Sequence, residues 1–116
     1  MSQRIGICGY NCEIRADVLS SHGLTAVGLP IHDPLQSEDF LQRVQDCEIF
    51  LFIFEKDVPC ESTLIQLGAA LGLGKTIVLE IPYDLQFLNE NPFIRSCHIL
   101  KFYHPSQTLN FLTERN

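Results

Sequence analysis

The chain has no tryptophan, a single methionine, and eight basic residues against fourteen acidic ones. The net charge of −6 argues against a duplex nucleic-acid partner, because such a protein needs a basic patch to neutralise phosphates. A small anionic ligand is not excluded, since a few backbone amides and one lysine suffice for a phosphate. No apolar run approaches the ~18 residues of a membrane span, and no signal peptide precedes the first apolar stretch. The expectation is a cytoplasmic protein with no membrane partner. Internal repeats, low-complexity tracts and linkers are also lacking, and 116 residues is the size of one domain spanning 1–116.

Paired cysteines are missing too. Cys8, Cys12, Cys47, Cys60 and Cys97 are odd in number and contain no C-x-x-C spacing. Zinc normally requires closely spaced Cys and His pairs. The only adjacent pair, Cys97-His98, falls on an expected strand that points successive side chains to opposite faces. Neither a metal nor a cofactor is therefore expected, and the thiols read as free in a reducing compartment. Gly74-Lys75-Thr76 is not a phosphate-binding P-loop: Ala69 stands where that motif needs glycine, and here a helix leads into a strand.

What is present is an alternation of strand and helix signals. Arg4 to Cys8 predicts a first strand, Gly9-Tyr10-Asn11 a turn, and Cys12 to Ser21 a helix closed by His22-Gly23. Leu24 to Leu29 predicts a second strand, followed by the loop Ile31-His32-Asp33-Pro34 and a helix from Ser37 with Phe40, Leu41 and Val44 inward. Cys47 to Phe54 is almost unbroken apolar sequence, as expected of a central strand buried on both faces. Thr76 to Ile81 predicts a fourth strand, Cys97 to Tyr103 a fifth, and Thr108 to Glu114 a terminal helix. This order implies a parallel sheet covered on both sides: an α/β, flavodoxin/Rossmann-like three-layer sandwich with a five-stranded parallel sheet. Ligands of such sheets collect at the loops leaving the carboxyl ends of the strands. Gly9, Tyr10, His32, Asp33, Glu55 and Asp57 all occupy such loops, where glycine and aspartate are also ordinary turn residues.

The stretch from Asp57 to Ile81 carries most of the information. Pro59 suits a first helical turn, Leu64, Leu67, Gly68 and Leu71 recur at helical spacing, and Gly72 and Gly74 supply a stop. Ser62 and Thr63 fall at the helix start, where hydroxyls and free amides can hold a phosphate or a sugar hydroxyl. Gln66 is flanked by Ser62 and Ala70 on a face separate from the leucines. Two readings stay open for it: contact with a ligand over the strand ends, or a local capping box with Thr63.

The run Pro59-Cys60-Glu61-Ser62-Thr63-Leu64-Ile65-Gln66-Leu67-Gly68-Ala69-Ala70-Leu71-Gly72-Leu73-Gly74-Lys75 resembles the signature helix of nucleoside 2-deoxyribosyltransferase-like proteins. Element order extends the resemblance over residues 4 to 112. The wider group includes deoxynucleoside-monophosphate glycosidases and, more distantly, TIR-type NAD hydrolases. The resemblance implies cleavage or transfer at a ribosyl N-glycosidic bond of a nucleoside, nucleotide or NAD-like molecule, and a homo-oligomer whose subunits share residues. It also implies a catalytic Glu at the position that Gln66 holds here.

A carboxylate is required by the chemistry, because the transition state is oxocarbenium-like. A neutral amide supplies no charge and is a poor nucleophile. Three readings follow: a non-catalytic nucleotide binder or sensor, recruitment of another acid such as Glu55, Asp57 or Glu61, or an inactive form in which the family's Glu has become Gln. The family-like neighbours favour the third. The implied site is Gln66 at the catalytic position, with Gly9, Tyr10, Asp33, Asp57, Ser62 and Thr63 binding substrate.

Overall fold

The computed structural model describes residues 3–29, 42, 45–54, 61–81, 92 and 99–115. Five strands and three helices occur among them: β1 (Arg4–Gly9), α1 (Cys12–Ser21), β2 (Thr25–Gly28), β3 (Ile49–Ile53), α2 (Glu61–Gly72), β4 (Thr76–Glu80), β5 (Leu100–Phe102) and α3 (Pro105–Arg115). The strands form one sheet in the order β2-β1-β3-β4-β5, with every pairing parallel. This is the flavodoxin-like arrangement expected from the sequence.

The sheet is held by alternation along each strand. Phe50, Phe52, Phe54, Ile77, Leu79, Ile81 and Cys8 pack on one face with Leu67 and Ala70 of α2. Ile5, Ile7, Ile49, Leu51, Ile53 and Val78 pack on the other, with Cys12, Ala16 and Leu19 of α1 and Leu112 of α3. All five residues of β3 are buried, as a strand covered on both sides requires. Each buried Phe or Leu side chain of this set contributes about 1.5–3 kcal/mol.

Turn chemistry follows the sequence closely at the end of α1. Gly23 adopts φ 83°, and the amides of His22, Gly23 and Leu24 return to the carbonyls of Leu19 and Ser20. The terminal helix starts one turn earlier than its apolar pattern predicts. Pro105 takes a first-turn position, and the Gln107 side-chain oxygen accepts from the amides of Tyr103 (2.9 Å) and His104 (3.2 Å).

Helix α2 differs from expectation in its rotation. Leu64, Leu67, Gly68 and Leu71 make one apolar face by spacing, whereas among the described side chains Thr63, Gln66, Leu67 and Ala70 are buried and Leu64, Ile65 and Gly68 are exposed. The helix is apolar nearly all round, so spacing alone does not fix the side that meets the sheet. The capping box also fails. The helix begins at Glu61, which puts Thr63 inside it, and the Gln66 amide bonds elsewhere. The helix predicted from Ser37 lies largely outside the described residues.

Candidate functional site

The strand order reverses between β1 and β3. α1 packs on one face of the sheet and α2 on the opposite one, so the exits of β1 and β3 diverge at their carboxyl ends, the position where sheets of this topology take ligands. Gly9 closes β1 at this point with φ 101°, and a Cβ there would collide with the Ile53 carbonyl oxygen. That same oxygen accepts from the Tyr10 amide at 3.0 Å. Gly9 is thus demanded by the approach of two strand ends. At Gly6 the missing Cβ makes room for Phe50 and Leu29 side chains. Tyr10 follows with half its surface exposed, and Asn11 takes a left-handed conformation at φ 52° to start α1.

On the α2 face, Gln66 is only 3% exposed, and its Nε2 donates to the carbonyl oxygen of Leu29, just past β2, at 3.1 Å. Thr63, one turn earlier, is 4% exposed. Residue 66 is therefore presented to a backbone acceptor. An amide can donate to it; an ionised carboxylate cannot. Ser62 is the second residue of α2. Asp33 and Asp57, with His32 and Glu55, lie outside the described residues.

On the α1/α3 face the structure assembles a constellation that sequence reading missed. Glu80, the last residue of β4, is 6% exposed. Arg15 of α1 donates to both its carboxylate oxygens, Nη1 to Oε1 at 2.6 Å and Nη2 to Oε2 at 2.8 Å. The fully buried Thr108 of α3 donates its hydroxyl to Oε1 at 2.8 Å. The one available signal was an acid ending an otherwise apolar strand, Thr-Ile-Val-Leu-Glu. With its charge neutralised and both oxygens engaged, this carboxylate is a poor nucleophile.

The three described thiols offer no alternative nucleophile. Cys8, Cys12 and Cys47 are free and buried. Burial pushes all three up from the ordinary thiol range, and neighbouring thiols add to the effect at Cys8. They are protonated near neutrality. Among the described residues no group of three or more His, Cys, Asp or Glu side chains could hold a metal ion, and no helix is long and apolar enough to cross a membrane.

No family model matches the chain, and no curated protein does. Among solved structures, the chain is similar to a CMP N-glycosidase of Clostridium botulinum, BcmB, with a TM-score of 0.59 at 17% identity, over 97% of this chain and 99% of that one. A likeness at that identity establishes a shared fold from end to end; chemistry has to be argued from the residues.

Proposed function

We propose that the protein handles the ribosyl N-glycosidic bond of a nucleoside, nucleotide or NAD-like molecule, cleaving or transferring at the carboxyl edge between β1 and β3. The observation that carries this reading is the fold shared with a CMP N-glycosidase over 97% of the chain. Tyr10 and the Gly9 turn lie against the base in this reading, and Ser62 and Thr63 at the start of α2 take the sugar or phosphate. Asp33 and Asp57 are substrate-binding residues in the same reading. Gln66 holds the nucleophile position without the charge, so this chain is read as the inactive form of the scaffold, and any turnover of its own would draw a carboxylate from Glu55, Asp57 or Glu61. A homo-oligomer with shared sites belongs to the same proposal and is read by light scattering.

A second reading, nucleotide binding without chemistry, is favoured by one observation: the Gln66 amide is bonded to the Leu29 carbonyl. Incubation with CMP, other nucleotides, nucleosides and NAD, followed by chromatography for free base, separates the two. Base release by Gln66→Glu, or by the wild-type chain itself, supports the enzyme scaffold. A ligand-dependent rise in melting temperature with no release, from wild type or Gln66→Glu, supports the binder. No release and no melting shift with any of these compounds would overturn both.

A further inference from the structure

We infer that Arg15 and Glu80 are positioning residues that hold the Tyr10 turn at the carboxyl edge between β1 and β3. The inference rests on the reading above only in taking that turn as part of the ligand site.

The start of α1 lacks the usual local support. Its N-cap, Asn11, sits at φ 52° and makes no side-chain cap hydrogen bond. A helix so begun leaves its first amides unsupported by the residue that normally serves them. Restraint comes from two remote points instead. Upstream, the Tyr10 amide is fixed to Ile53, the last residue of β3. Downstream, Arg15 makes the first helical bond to the Asn11 carbonyl at 2.9 Å and sends its guanidinium over the sheet to Glu80. Ile53 and Glu80 are register partners, so both anchors lie at one level of the sheet. Tyr10 and Asn11 hang between them.

An apolar pair of matching size often supports a fold as well as a buried ion pair does, so stability alone does not account for burying one at this place. Bidentate geometry does something that apolar packing cannot: it fixes the orientation of a helix against a strand. Lysine would keep the charge and lose that orientation.

The test compares Arg15→Lys and the apolar double variant Arg15→Met/Glu80→Leu with the wild type. Amide exchange, CMP affinity by calorimetry and melting temperature are measured for each. In both variants the Tyr10 amide is expected to exchange about tenfold faster, while amides at the centres of β3 and β4 keep their protection. CMP affinity falls by about tenfold, and the double variant melts within a few degrees of the wild type. Tyr10 exchange that is unchanged, or that rises only in step with the core amides, would mean a merely structural pair and overturn the inference. A loosened Tyr10 with unaltered CMP affinity overturns it equally. A loosened Tyr10 in a protein whose wild type binds no CMP supports the coupling and counts against the nucleotide reading instead.

Discussion

Glu80 and Gln66 are both buried polar side chains near the carboxyl edge of one sheet, on opposite faces. The first is a carboxylate with three donors from two helices. The second is a neutral amide with a backbone acceptor. Burying a charge is costly unless it is paired and hydrogen-bonded, and the α1/α3 face meets that condition. The α2 face offers residue 66 a backbone carbonyl instead. The difference teaches that depth alone does not select a charge: a carboxylate is kept where two helices bring donors to it, and a neutral amide where the partner is a backbone acceptor.

The largest expected effect tests the charged side. Glu80→Leu leaves the Arg15 guanidinium partly buried without its carboxylate and should cost about 3 kcal/mol in urea unfolding. Adding Arg15→Met together with Thr108→Val, which removes the hydroxyl left without its acceptor, should recover most of that loss; failure to recover would mean that the ion pair is itself a main source of stability. Gly9→Ala comes next, at about 2–3 kcal/mol, because it forces a side chain into a left-handed backbone against Ile53 without touching either polar group. A wild-type denaturation curve for this variant would break the account of the strand-end approach.

Gln66→Glu tests the neutral side. The introduced carboxyl faces the Leu29 oxygen, so its neutral form is preferred in the folded state and its pKa is raised. Stability close to wild type is expected below the ordinary Glu value of about 4.3, where the carboxyl donates as the amide did. As pH rises, about 1–2 kcal/mol should be lost, visible in urea midpoints at acid and neutral pH. A midpoint difference that does not depend on pH would show that residue 66 faces no acceptor.

The smallest effect concerns the thiols. Cys8 is held protonated by burial, so its contribution is fully present below the ordinary value of 9.0 and is lost as pH rises beyond it, where the unfolded chain ionises first. Urea midpoints should therefore fall in alkali, and fall less in Cys8→Ala.

Much of this architecture was legible before any coordinates. The apolar run Cys47 to Phe54 could only be a central strand, and Ile49–Ile53 is buried throughout. Cys12–Ser21 was bounded by Asn11 and Gly23, whose positive φ values explain why those residues mark its ends. The rotation of α2 was not legible, because leucine, isoleucine, glycine and alanine occupy every side of it. Nor was the Glu80 constellation: Arg15, Glu80 and Thr108 are 65 and 28 positions apart along the two links that join them.

By itself, the sequence determined the order of strands and helices, the turns that need glycine, and the absence of an acid at position 66. Those properties follow from local backbone preference and from the period of apolar residues, which act over a few positions. Only the tertiary structure decided which side of α2 meets the sheet, that the Gln66 amide has a carbonyl to satisfy, and that Glu80 is neutralised from two helices. Such outcomes depend on which remote groups arrive at the same depth of a packed interior, and low-dielectric burial then selects whether an amide or a paired charge can remain there.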